Sequence, residues 1–337
     1  MRPFHALTSG CLALALASAC GGSAPVTPGT LGPPPGGGTG GSISGTVVNR
    51  DGRAPISGAT VLFAGVATAT DTEGRFALNG VPSSGTGVVT INAGGHLFRG
   101  VAVTLGTSRT DLSFDLIHDA LPFSLEFYRA FVRNQYESRT LQPTARWTRA
   151  PSFYLKTTVE TTGVAVPDDV VGRIRDVIAN SVPELSGGRY QMAAFETGTA
   201  ARPAADGWVA ITFYPELSGG AFGRSSVGGN SGVIELRYGM VSSDLTNPGH
   251  CLSPEVSLVD HEIVHTMGFW HTRDVFYDSF SGPGCPGSSR PAHVRYHAEV
   301  LYSRPPGNID PDVDPIESAQ IQGSAAPRPI VECRFGR

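Results

Sequence analysis

Residues 261–271 read His-Glu-Ile-Val-His-Thr-Met-Gly-Phe-Trp-His. His261 and His265 are four apart, so on a helix their imidazoles share one face a turn from each other and can grip a single ion. Glu262 points about 100° away from His261, beside that ion instead of on it. There a carboxylate can take a proton from a metal-activated water. Ser253 suits an N-cap, Pro254 the first helical position and Glu255 the positive end of the dipole, which predicts a helix from Pro254 to Met267. Gly268 can adopt the left-handed conformation that stops a helix, so the chain can turn and bring His271 under the same ion. Composition alone gives this spaced pattern a chance of about 3 × 10⁻⁵. Three neutral nitrogens and a water make a four-coordinate zinc with an open position, the catalytic arrangement and not the closed structural one.

This string resembles the zinc signature of the metzincin metallopeptidases, the group that includes astacins, matrixins and serralysins. The resemblance implies that His261, His265 and His271 bind one catalytic Zn²⁺ and that Glu262 is the general base and acid. Metzincins also carry a methionine turn below the zinc, and here the sequence departs: Met1, Met192, Met240 and Met267 all precede His271. The nearest counterpart is Glu299-Val300-Leu301-Tyr302-Ser303, with Leu301 where the methionine would stand. An apolar swap of similar volume costs under about 1.5 kcal/mol in a core. Tyr302 is then a candidate oxyanion donor, as the following tyrosine is in some relatives, with a packed aromatic as the competing reading. Thr272 matches none of the main subfamilies. Gly232–Tyr238 alternates as a half-exposed strand does and precedes the helix. Metzincins pair an extended substrate with a cleft-edge strand before the zinc helix, so the resemblance implies that role for this segment, with an internal strand as the alternative. No cysteine motif of the kind that blocks the zinc in matrixin zymogens is found.

Around the motif, Trp147–Thr158, Gly207–Tyr214 and Gly232–Tyr238 read as strands. Pro167-Asp168-Asp169 opens a helix with a stripe of Val170, Val171, Ile174, Val177 and Ile178. Past the zinc helix the chain reads mostly as loop. Residues 119–337 are thus expected to form an α+β, metzincin-like zincin domain with a mixed sheet and an active-site helix. His293 and His297 are also four apart, but without an intervening Glu they are not assigned a second metal. Asp310, Asp312 and Asp314 alternate with Pro311, Val313 and Pro315. Calcium favours clustered carboxylates, but a solvated Pro-rich loop is the preferred reading. Cys251, Cys285 and Cys333 predict one disulfide and one thiol, with the pairing open.

Between Ile43 and Ile117, short β-branched runs alternate with Arg50-Asp51-Gly52, Asp71-Thr72-Glu73-Gly74 and Asn79-Gly80. This predicts a small all-β, antiparallel sandwich over residues 43–118. Ser44–Val47, Ile56–Val61, Thr70–Phe76 and Gly80–Pro82 resemble the carboxypeptidase regulatory-like, transthyretin-type domain, which implies an accessory module without catalytic groups.

The N-terminus reads as an address. Arg2 and the apolar run Cys11–Cys20 fit a secretory signal over residues 1–20, too short for a membrane-spanning helix. Ala17-Ser18-Ala19 before Cys20 resemble the bacterial lipobox, with Ala17 where Leu is usual, and imply a lipidated Cys20; an ordinary cleaved signal is the alternative. Residues 21–42 are Gly/Pro-rich and uncharged, a disordered tether reaching about 25 Å. Only 16% of the 337 residues are charged and the net charge is −4, which argues against a nucleic-acid partner or a coiled coil. The expected protein is an exported monomer, a cell-surface (outer-membrane) lipoprotein or secreted, that touches membrane only through its anchor. It would hydrolyse peptide bonds as a zinc endopeptidase. The rival readings are a cell-surface binding or adhesion protein with a decayed or structural zinc domain, and a zinc amidase acting on cell-wall peptides.

Overall fold

The computed structural model describes residues 40–106, 109–240, 258–272, 290–316 and 328–333. The signal segment with Cys20, nearly all of the tether, the helix start at Ser253–Glu255, Cys251 and Cys285 lie outside them. No helix among the described residues is long and apolar enough to cross a membrane.

Alternation of apolar and polar residues lays the first module out as two facing sheets. One has β1 (Gly41–Asn49) between β4 (Arg75–Val81) and β7 (Arg109–Leu116). The other runs β3 (Val66–Ala69), β2 (Thr60–Phe63), β5 (Gly85–Asn92), β6 (Arg99–Leu105). Val47, Val61, Phe76, Ile91 and Phe114 meet in the core between them. The strands differ from expectation in three ways. β1 starts at Gly41, inside the expected tether. β7 reaches β1 from the opposite sheet and pairs with it in parallel, so the sandwich is not purely antiparallel. Asn79-Gly80, expected as a turn, lies within β4, where Asn79 pairs with Ser42 and the register shifts beside it. Gly80 at φ +81° absorbs that irregularity. β3 carried too little hydrophobic pattern to be foreseen.

The second module is a six-stranded mixed sheet in the order β13–β11–β12–β10–β8–β9. β8 (Ser152–Lys156), β9 (Ala194–Gly198), β10 (Trp208–Tyr214) and β12 (Gly232–Arg237) are mutually parallel. β11 (Gly223–Ser226) runs antiparallel to β12, and β13 (Ile330–Cys333) antiparallel to β11. The expected cleft edge, Gly232–Tyr238, is therefore internal, with β10 and β11 on its two sides.

α1 (Leu125–Arg133) is capped by Ser124, whose Oγ accepts from the Phe127 amide, and ends on Asn134 in the left-handed region. α2 (Asp168–Leu185) connects β8 to β9. Its buried stripe of Val170, Ile174, Val177 and Ile178 follows the expected spacing. α3 (Leu258–Thr266) carries the His-Glu-Ile-Val-His run and is buried along nearly its whole length. Asp260 anchors it: its carboxylate takes two bonds from the buried Arg290 guanidinium, at 3.0 and 2.5 Å, and one from Ser181 on α2.

The segment after the motif, expected as mostly loop, also holds a helix and a strand among its described residues. α4 (Ala292–Ser303) buries Val294, His297, Val300 and Leu301 against the core. Its start at Pro291 has no side-chain cap, so packing and not a local signal makes it helical.

Asp310, Asp312 and Asp314 are not solvated. Asp312 is 2% exposed. It accepts from Arg304 at 2.9 and 3.0 Å and from Arg99 of β6 at 3.1 Å. Asp314 takes a two-pronged pair from Arg99 at 2.7 and 2.6 Å, and Asp310 one from Arg129 at 2.8 and 2.7 Å. Gly100 and Val313 form a parallel bridge, with backbone bonds from Gly100 N to Asp312 O and from Asp314 N to Gly100 O. The Pro-rich loop is the seam between sandwich and second module.

Candidate metal centre

The helix periodicity stacks His261 and His265 on one face of α3, and the chain then turns at Gly268. Its φ is +111°, and a Cβ there would lie 2.0 Å from the Ala145 carbonyl oxygen, so only glycine fits. The helix end is fully capped. Phe269 N donates to Val264 O, Gly268 N and Gly228 N to His265 O, Trp147 Nε1 to Thr266 O, and Tyr302 Oη to Met267 O. This answers the orphan carbonyls of the last turn and fixes where His271 emerges.

The three Nε2 atoms of His261, His265 and His271 meet at 3.2, 3.1 and 3.1 Å. Three ligands of one tetrahedral zinc with bonds of about 2.0–2.1 Å would be about 3.3 Å apart. The tautomers sharpen the case. His265 Nδ1 lies 2.8 Å from the Phe269 carbonyl and His271 Nδ1 2.7 Å from Glu137 Oε1. Both partners only accept, so both Nδ1 atoms carry a proton, and since burial keeps His265 neutral its Nε2 presents a bare lone pair. Three ring nitrogens converging at this spacing make a preformed donor set for one cation. Burial holds His261 and His265 well below the usual imidazole range, with the neighbouring imidazoles adding to it, so both rings are neutral. The donor set fits zinc.

Glu262 is fully buried beside the cluster. Its Oε2 accepts from Ser225 Oγ at 2.6 Å, while Oε1 has no hydrogen-bond partner among the described residues. Burial pushes its carboxyl up to about 8, against the opposing pull of Ser225; a cation on the adjacent imidazoles would draw it back down. Gly223 gives the carboxylate room, since a Cβ there would stand 2.3 Å from Oε1.

Leu301 is buried in α4, in a helix and not a turn, and packs in the main core. Tyr302 is 1% exposed and its hydroxyl is engaged by Met267 O. It therefore caps α3 and does not face the site, which corrects the oxyanion assignment. His297 is buried, bonding through Nε2 to the Ser124 amide and through Nδ1 to His293 O.

Three site residues were not foreseen. Glu137 follows α1, Ser225 lies on β11, and Cys333 ends β13 with its Sγ within 4.8 Å of ligand atoms of His261 and Glu262. Burial and the Glu262 carboxylate push that thiol up to about 12. Nothing local in the sequence marks these three.

One comparison bears on the other module. Residues 42–116 match the family model of the carboxypeptidase regulatory-like domain. Two solved structures overlap locally. Both are interface mutants of a type II cohesin–X-dockerin complex from Acetivibrio cellulolyticus, one C-terminal and one N-terminal, at 27% and 29% identity and a TM-score of 0.20. Each overlap covers 23% of this chain and 56% of the other, so the match spans about half the length of those chains. No curated protein matches.

Proposed function

We propose that the chain is an exported zinc endopeptidase. Its metzincin-like catalytic domain is carried behind the regulatory-like sandwich and tethered through a lipidated Cys20. The observation that carries this reading is the convergence of three Nε2 atoms at the spacing of a zinc's ligands, next to a buried carboxylate oxygen with no partner among the described residues. His261, His265 and His271 would hold the metal. Bound zinc supplies a Lewis acid that polarises a scissile carbonyl and brings a water's pKa to about 7.

The chain's own groups do the rest. Oε1 of Glu262 accepts the nucleophile's proton and returns it to the leaving amine. Ser225 holds Oε2, so Oε1 keeps its aim. Glu137 and the Phe269 carbonyl fix the tautomers of His271 and His265. The capped end of α3 keeps His271 in register.

Glu262→Gln should retain stoichiometric zinc and lose cleavage of a peptide library, while His271→Ala should lose the zinc. Unchanged cleavage by Glu262→Gln would reject the mechanism. Zinc retained by the wild type without activity on any peptide would favour the binding-protein reading.

A further inference from the structure

We propose that β13 is a built-in pseudo-substrate lying in the peptide groove beside the metal centre. This rests on the hydrolase reading above. β11 is the strand nearest Glu262, and its far side is where an extended peptide would add to the sheet. That side already carries the chain's own residues 330–333, in antiparallel register: Gly223 opposite Cys333, Ser225 opposite Val331, Ser226 opposite Ile330. Flanking bonds run from Phe222 N to Cys333 O and from Val227 N to Pro329 O, and the Arg328 guanidinium donates to Gly228 O.

Residues directly opposite in a sheet share a face. Ser225 faces Glu262, so Val331 and Cys333 face the site as well. Cys333 accordingly reaches the His261–Glu262 pair, and Val331 packs with Val227 and Trp270 in a small cluster separate from both main cores. Ile330, on the opposite face, is 52% exposed. The segment is held as a bound peptide is held: by main-chain bonds and one apolar anchor. The Val227–Trp270 patch is thus a subsite for a β-branched apolar residue, two positions before the residue beside Glu262.

The test uses the full chain with Val331→Asp, which removes the anchor, and Val331→Thr as its milder counterpart. Three readouts are taken: hydrogen exchange at the Phe222 and Val227 amides, binding of a labelled peptide of residues 328–333 to zinc-free and zinc-loaded protein, and peptide hydrolysis. Val331→Asp should speed exchange at both amides at least tenfold. It should bind the labelled peptide at least fivefold more tightly than wild type does, and lower KM severalfold at unchanged kcat; Val331→Thr should fall between. Peptide binding without hydrolysis would support the pseudo-substrate and count against the peptidase reading alone. Hydrolysis by wild type with KM unmoved in either variant would overturn the pseudo-substrate and leave the peptidase reading standing. Loss of zinc or of cooperative unfolding in both variants would mark β13 as a structural edge strand and overturn it too.

Discussion

His271 donates its Nδ1 proton to Oε1 of Glu137 across 2.7 Å, a contact spanning 134 positions of sequence. The bond fixes which nitrogen of His271 is bare and makes that nitrogen more basic. Partners of this kind change metal affinity by about 10–100-fold when removed. Glu137→Gln should therefore weaken zinc binding by at least tenfold in competition with a chelator. The Glu137 side chain is 38% exposed, so the zinc-free protein should melt where the wild type does. Equal zinc affinity in the two proteins would remove Glu137 from the site.

Tyr302 offers a test of a different kind. Its hydroxyl answers the Met267 carbonyl at 2.9 Å and lies 1% exposed. Tyr302→Phe leaves that carbonyl without its donor, at a cost of about 1–3 kcal/mol. Stability should fall by that amount in urea while kcat, measured well below the melting temperature, stays within about twofold. A loss of kcat of about 10²-fold or more, the size expected for an oxyanion donor, would return Tyr302 to the chemistry.

The three-histidine string was legible because it is local: residue identity, helical spacing and a stop at Gly268 all lie within eleven positions. Its support was not. Ser225 lies 37 positions before Glu262, and no spacing rule links them. Asp312 looked solvated because proline and aspartate usually are, whereas its partner Arg99 sits 213 positions away. α4 was missed for a similar reason: it begins without a cap residue, and its helicity comes from burying Val294, Val300 and Leu301. In the sandwich, alternation revealed β1, β2, β5, β6 and β7 but not β3, whose four residues are half-buried at most, nor β4, which lay between two stretches that read as turns.

His297 sets a pH dependence. Burial, chiefly, holds its imidazole down at about 4, with His293 and the cationic Arg50 of the sandwich pushing the same way and bonds to the His293 and Ser124 carbonyls opposing. Tyr296 on its own helix and Tyr128 on α1 also pack against it. The unfolded chain takes up a proton near pH 6.5 while the folded one does not until about 4. Stability present above pH 6.5 is thus lost as pH falls through that window, by about 3 kcal/mol in all. His261 and His265 are also held neutral, so the readout is the difference between wild type and His297→Gln. The variant should have a shallower slope of unfolding free energy between pH 6.5 and 4. Parallel slopes would show that His297 does not titrate as its surroundings require.

Arg304 binds both Asp312 and Asp115 of the sandwich, and the three belong to one charge network with Arg99 and Asp314. Arg304 and Asp312 are each 2% exposed. Removing one partner of such a pair strands a buried charge and costs about 3–5 kcal/mol, whereas replacing both by apolar residues costs less. Arg304→Met should therefore destabilise more than Arg304→Met with Asp312→Leu. The three tryptophans, Trp147, Trp208 and Trp270, all lie outside the sandwich, so their fluorescence follows the second module while circular dichroism follows both. In wild type the two signals should unfold together in urea. In Arg304→Met they should separate, because the seam that makes the two modules cooperate has lost its central cation. Coincident curves in that variant would show that apolar contacts of Leu97 and Ile117 with the second core, not the ion pairs, couple the modules.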